Sequence, residues 1–342
     1  MKNFEYPFIK ELISNSQFIT VTSHHNPDGD AIGSALALAA LLRKAGKEAI
    51  AVVPNDYPAF LKWMPGNELA LIYQRDQKKA DEFISRSDLI FCLDYNSLSR
   101  TGKMEDSLRG ATAKKILIDH HLEPVLSDFD FHLTVIPVSS TSELVYRFIE
   151  GCSWLSLLDK DIATGLFVGI MTDTGSFSFA CNYPETFQTA AALLSTGINA
   201  ERIHRMVYDT YSESRLRLLG FCLSEKLTVL PEFSTAYIAL SRAELDRFHH
   251  QTGDTEGIVN YALSIDNIKL AVLLTERKDR IRISFRSKGD FSVNKIANEH
   301  FNGGGHRNAA GGDSFISLDD TIIKLKEVLV QYREDIDRSS AF

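Results

Sequence analysis

The first half of the chain alternates short runs of β-branched and apolar residues with stretches of helical periodicity, which leaves it few folds to adopt. The runs Phe18–Ser23, Ala49–Pro54, Leu89–Asp94, Lys115–Asp119 and Thr134–Pro137 are apolar almost throughout. That suits strands buried on both faces. Helical patterns fall between and after them, at Asp30–Ala45, Lys79–Ser87, Ser142–Gly151, Lys160–Met171 and Pro184–Leu194. Strand and helix taken in turn predict an α/β domain built on a parallel sheet.

From about residue 226 the pattern changes. Strands are predicted at Thr235–Leu240, Lys269–Glu276 and Arg280–Arg286, the last two separated only by Arg277-Lys278-Asp279, short enough for a hairpin. Helices are predicted at Arg242–Phe248, Glu256–Leu263, Val293–His300 and Asp319–Tyr332, with a polar, frayed tail after Arg333. A chain of 342 residues exceeds what one core usually supports. The expected layout is therefore an α/β domain over 1–197, a helical connector over 198–225 and a smaller α+β domain over 226–342.

Charge and composition exclude some function classes. The net charge is −8 and the pI about 5.7. A protein that grips long duplexes shows a basic face, so no long-duplex binding is expected; a small anion held by a few arginines or metals remains open. No apolar run reaches the roughly eighteen residues a membrane helix needs, and the first residues carry acids and no apolar signal core, so a cytoplasmic protein away from membranes is expected. Cys92, Cys152, Cys181 and Cys222 are scattered with no CxxC pair, as buried thiols of a reducing compartment would be.

Potential ligands gather where the strands end. His24, Asp28 and Asp30 follow the first strand in His24-His25-Asn26-Pro27-Asp28-Gly29-Asp30, where Pro27 and Gly29 force irregular backbone and let the carboxylates converge. In open α/β sheets ligands bind at the carboxyl ends of the strands. Asp94 ends the apolar run LIFCLD, and Asp119-His120-His121 follows KILI. Asp173 sits in a turn after an apolar helix, in Gly169-Ile-Met-Thr-Asp-Thr-Gly-Ser-Phe. Each has a plainer reading alone: Asp28 or Asp30 as a helix cap, Asp173 as a turn residue, Asp94 as a structural carboxylate. Ser139-Ser140-Thr141, ahead of Ser142-Glu143, reads first as a cap, with phosphate contact the lesser alternative. His204 and His249-His250 lack partner ligands nearby in sequence and read as surface or packing residues. Three strand ends that all carry His and Asp favour divalent cations bound by oxygen and imidazole ligands.

Together HHNPDGDAIGS (24–34), LDYN (93–96), IDHH (118–121) and MTDTGSF (171–177) resemble the Asp-His-His phosphoesterase family. The segment FNGGGHRNAAGG (301–312) is similar to the C-terminal substrate domain of the family's nanoRNase/pAp-phosphatase and RecJ-type branches. By length and by both domains the nearest type is the bacterial nanoRNase/pAp-phosphatase. The resemblance implies two divalent metals, manganese first with magnesium or cobalt as alternatives. His24, Asp28 and Asp94 would hold one; Asp30, Asp94, His120 and Asp173 the other, with Asp94 bridging. Asp119 would orient His120, and His121 would face the phosphate. In the second domain Arg286, Gly304, Gly305 and His306 would bind the substrate's terminal phosphate or nucleotide. The implied activity is hydrolysis of short oligoribonucleotides to mononucleotides, of 3′-phosphoadenosine-5′-phosphate (pAp) to AMP and phosphate, or of both. Cyclic or linear dinucleotides are the alternative substrates. A non-catalytic nucleotide sensor is the rival from another class, and a homodimer is left open.

Overall fold

The computed structural model describes residues 5–251 and 253–339. The chain divides into two compact units between Thr210 and Tyr211.

The first unit runs α1 (Tyr6–Asn15), β1 (Phe18–Thr22), α2 (Gly29–Lys44), β2 (Glu48–Val53), β3 (Leu71–Ile72), α3 (Tyr73–Arg86), β4 (Leu89–Leu93), α4 (Glu105–Gly110), β5 (Lys114–Asp119), β6 (Phe131–Thr134), α5 (Thr141–Gly151), α6 (Lys160–Asp173), α7 (Pro184–Ser195) and α8 (Ala200–Tyr208). Its six strands are all parallel, in the order β3-β2-β1-β4-β5-β6. Strand order therefore departs in opposite directions from the β1–β4 pair, and the crevice beyond the carboxyl ends of those two strands is the switch point where such sheets bind ligands. The apolar runs behave as their composition predicts: every residue of β4 is buried.

Helices α2 and α6 pack with their backbones in close approach. A Cβ on Gly33 would lie 2.3 Å from the Gly165 carbonyl oxygen, and one on Gly165 would lie 2.9 Å from that of Gly33. Only glycine permits that approach, and it draws the first turn of α2 toward the last turn of α6.

The second unit runs α9 (Glu213–Phe221), β7 (Leu227–Leu230), β8 (Thr235–Leu240), α10 (Arg242–Arg247), α11 (Ile258–Leu263), β9 (Leu270–Glu276), β10 (Ile281–Ser287), α12 (Val293–His300), β11 (Gly304–Gly305), β12 (Ala309–Ser314) and α13 (Leu318–Arg338). Its mixed sheet has the order β11-β12-β10-β9-β8-β7. Strands β9 and β10 form the expected antiparallel hairpin, closed by Arg277 N–H donating to the Arg280 carbonyl at 2.7 Å. Ile281, Ile283 and Phe285 face the core shared with α12 and α13. Arg282, Ser284 and Arg286 alternate with them on the other, half-exposed face.

Several expected elements are corrected. The β-branched run Thr134–Pro137 attracts a strand assignment, but β6 lies three residues earlier: Leu133 is buried, Ile136 is 57% exposed, and Pro137 has no N–H to donate. The stretch 198–225 is no separate connector. Ile203 and Val207 of α8 join the first unit's core, whereas Leu218 of α9 joins the second's. The polar tail stays helical through Arg338 because Ile336 is fully buried. Asp173 is the last residue of α6 rather than part of a turn.

Candidate metal centre

Each acidic or imidazole group at the switch point is placed by a different backbone device. Asp28 caps α2: its Oδ1 accepts from the N–H groups of Asp30 (3.0 Å) and Ala31 (3.1 Å). The plainer reading of Asp28 as a cap is thus correct, and it leaves Oδ2 to face His24, whose Nε2 is 3.9 Å away. Asp30, one residue into α2, is almost wholly buried. Its two oxygens accept from the first N–H groups of α5, Thr141 at 2.7 Å and Ser142 at 2.8 Å. The amide-rich start of a helix is a natural seat for a carboxylate.

Asp94 is the hub. It follows β4 with a left-handed backbone, φ 65°, a conformation that aspartate tolerates better than most residues. Its Oδ2 is 3.4 Å from His24 Nε2 and its Oδ1 is 3.5 Å from His120 Nε2. The Thr141 hydroxyl donates to Oδ1 at 3.0 Å. His120 Nε2 also lies 3.4 Å from Asp173 Oδ2 and 3.9 Å from Asp30 Oδ2. Among the described residues of this unit three sets of donor atoms each gather closely enough for one ion: His24–Asp28–Asp94, Asp30–Asp94–His120 and Asp94–Asp119–His121. Asp94 belongs to all three.

One expected pairing changes. The resemblance assigns Asp119 to orient His120, but its 2.7 Å bond goes to His121 Nδ1. Adjacent residues beyond a strand point apart, so Asp119 reaches the second histidine and His120 turns toward Asp94.

Charges this close reshape one another. Burial lifts Asp30 well above the usual carboxylate range, helped by Asp94 and Asp173. Burial also raises Asp173 to about 6, against the pull of His120. Burial opposes charging of His24, yet Asp94 and Asp28 outweigh it and raise the imidazole to about 9. Burial likewise opposes ionisation of Asp94, but His120 and His24 hold it well below its ordinary value. Positive charge added here would favour the ionised forms of Asp30 and Asp173. The mix of carboxylates and imidazoles suits divalent cations of the manganese type. Asp119 Oδ2 is buried with no hydrogen-bond partner. Buried orphans of this kind mark a site built for a further partner, and the residues fit the metal centre that the resemblance implies.

Three residues that shape this centre escape the sequence reading. Thr141 and Ser142 support Asp30 and Asp94, although their segment reads as a helix cap, which Ser140 indeed provides through the Glu143 N–H at 3.1 Å. Glu143 itself is an internal anchor bound by Ser139 and Thr186, not a phosphate contact. Gly169 is the third. A Cβ there would sit 1.9 Å from Ser142 Oγ and 2.6 Å from Asp30 Oδ1.

In the second unit the structure brings Arg286 and His306 to the same strand residue. Arg286 pairs across the sheet with Ala309, and His306 N–H donates to the Ala309 carbonyl at 2.7 Å. Gly304 and Gly305 form β11 beside them. Close packing explains part of the glycine run: a Cβ on Gly303 would lie 2.0 Å from the Gly311 carbonyl oxygen.

An α/β switch-point centre of clustered carboxylates and imidazoles, with a separate glycine-rich unit, defines a class of metal-dependent hydrolytic protein. The family model for the DHH family, N-terminal domain, matches residues 18–170, and that for the DHHA1 domain matches 237–331. The chain belongs to the DHH family. It is 32% identical to the bifunctional oligoribonuclease and PAP phosphatase NrnA of Thermus thermophilus, over 94% of this chain and 91% of that protein. It is 28% identical to the protein of the same name from Bacillus subtilis, over 89% of this chain and 91% of that one. A solved exopolyphosphatase-related protein from Bacteroides fragilis is 40% identical and superposes with a TM-score of 0.92, covering 97% of both chains. No helix among the described residues is long and apolar enough to cross a membrane.

Proposed function

We propose that this chain is a metal-dependent phosphoesterase that hydrolyses short oligoribonucleotides to mononucleotides and pAp to AMP and phosphate. It would work in the cytoplasm, where its four unpaired cysteines stay reduced. The observation that carries the chemistry is the position of Asp94 at the switch point, common to three ligand sets. The NrnA relatives, matched over most of both chains, support the substrates.

In this reading His24, Asp28 and Asp94 hold one divalent cation; Asp30, Asp94, His120 and Asp173 hold the second. Manganese is the first choice, and magnesium or cobalt suit the same donors. When bound, such a pair polarises phosphoryl oxygens and supplies hydroxide near neutral pH. Asp119 accepts from His121 Nδ1 and so fixes the ring, leaving Nε2 to face the phosphate and to hold or give a proton. Arg286 offers a planar fork to a terminal phosphate, aided by His306 and the backbone of Gly304 and Gly305.

The test compares RNA of two to five nucleotides, a long RNA, pAp, a cyclic dinucleotide and diphosphate, each with manganese. Release of mononucleotides from short RNA, or of phosphate from pAp, is expected. Turnover confined to the cyclic dinucleotide or to diphosphate would overturn the assignment.

A further inference from the structure

The first unit holds a buried carboxylate that no step of the proposed reaction uses. Glu143, in the first turn of α5, is fully buried. A charge in such a place is costly unless it is paired and hydrogen-bonded. Its Oε1 pairs with Arg147, one turn further along α5. Its Oε2 accepts from the Ser139 hydroxyl at 2.5 Å, the Ser139 N–H at 3.2 Å and the Thr186 hydroxyl at 2.8 Å. The start of α5 is already capped by Ser140, so capping does not account for these bonds.

The donors stand on either side of the second proposed ligand set. Ser139 precedes Thr141 and Ser142, and Glu143 follows them. Joining Ser139 to Glu143 closes this turn from both ends and fixes the two N–H groups that Asp30 accepts, at 2.7 and 2.8 Å. The same turn carries the Thr141 hydroxyl to Asp94 Oδ1, the oxygen on the His120 side. Thr186 lies in the first turn of α7. The link from α6 to α7 begins directly after Asp173 and passes through left-handed backbone at Gly175, Ser176, Phe177 and Ala180. Non-glycine residues keep that conformation only where their surroundings over-determine it. The Thr186–Glu143 bond ties the far end of the link, and both partners are fully buried.

The first ion's own ligands are held without Glu143. Asp28 Oδ1 accepts from the amides of Asp30 and Ala31, and His24 Nδ1 lies 3.0 Å from the His25 carbonyl oxygen. We propose that Glu143 is a positioning residue for the second ion: it clamps the start of α5 to the start of α7 and so sets Asp30 and Asp173 at the spacing that one divalent cation needs. This rests on the two-ion reading of the site. Thr186 is the far jaw of the clamp, and Arg147 balances its charge.

Metal-free, full-length wild type, Glu143→Gln and Thr186→Val are titrated with manganese by calorimetry, and pAp hydrolysis is followed against manganese concentration. Asp28→Asn, which alters a ligand of the first ion only, identifies the two binding steps. In Glu143→Gln and in Thr186→Val, Kd for the second ion is expected to rise about 10–100-fold, the scale for an outer partner of a metal ligand. Kd for the first ion is unchanged. At saturating manganese both kcat and KM for pAp return to wild-type values. Thr186→Ser, which keeps the hydroxyl, binds both ions as the wild type does. Thr186→Val removes one hydroxyl and keeps the side chain's shape, so it carries the test if Glu143→Gln does not fold. Unchanged binding of both ions beside a lowered melting temperature makes Glu143 a packing anchor and overturns the clamp. Equal weakening of both ions in a folded variant overturns it too. Wild-type protein that takes up a single manganese ion overturns the two-ion reading itself, a failure visible without any variant.

Discussion

The two units carry opposite chemistry on opposite kinds of surface. The first gathers acids and imidazoles from several separate segments around one buried carboxylate, Asp94, with Asp28 and Asp30 held by backbone amides. The second sets cationic side chains and glycine backbone along a half-exposed strand face. The cluster is therefore interdependent: desolvation together with Asp94 beside them raises Asp30 well above the carboxylate range and Asp173 to about 6, and that repulsion favours cations. On the strand face, Arg282 and Arg286 stand four residues apart on the half-exposed side of β10. One unit should fail as a whole when a member is lost; the other should lose affinity piece by piece.

The sharpest way to break this contrast is Asp94→Ala. Outer partners of metal ligands commonly carry about 10–100-fold in affinity or activity. A ligand shared by two ions should exceed that on every substrate, and elemental analysis should show both metals depleted. A folded variant that keeps near-normal turnover would remove the bridging role. Chelation of the wild type should reproduce the loss, and manganese should reverse it.

Thr141→Val comes next. It keeps the backbone N–H that Asp30 accepts and removes only the hydroxyl donated to Asp94 at 3.0 Å. Activity should fall about 10–100-fold, with metal affinity weakened and the fold intact, and Thr141→Ser should recover most of it. Equal losses in the serine variant would mean that the methyl group, not the hydroxyl, matters.

On the other side of the comparison, Arg286→Ala should raise KM for pAp and short RNA by about tenfold or more, the scale of a missing charged hydrogen bond. Metal content should be unchanged. Depleted metal in that variant would join the two sites functionally and collapse the division of labour.

Much of this division is legible in the sequence because both halves of it rest on local pattern. Buried parallel strands announce themselves by unbroken apolar runs, and ligands at their ends stand out against those runs. What stays hidden depends on tertiary approach. Thr141 and Ser142 look like any cap until α5 is seen to meet Asp30. Gly169 looks like an ordinary glycine of an apolar helix until Asp30 and Ser142 are seen against it. Strand β12, Ala309–Ser314, is missing from the predicted strands because its glycines carry no β-forming side chains; its register with β10 is what orders it. The partner of Asp119 is misread from sequence because alternation after a strand decides it, and the irregular turn there obscures which histidine faces back.

The glycine run offers the finest test, since its members have different reasons to be glycine. Gly303 has no room to spare: a methyl group there meets the Gly311 carbonyl oxygen at 2.0 Å, and the backbone must move. Gly303→Ala should cost about 1–3 kcal/mol of stability, the range for overpacking a tight site. Gly304 has room, with Asn294 Oδ1 the nearest atom to an added Cβ at 3.5 Å. Gly304→Ala should therefore shift stability by no more than about 0.5 kcal/mol, readable as a small change in melting temperature. If its backbone faces the substrate's phosphate as proposed, the same methyl group should still raise KM for pAp while leaving metal content alone. Unaltered KM in a stable Gly304→Ala protein would assign the whole run to packing and leave phosphate recognition to Arg286 and His306.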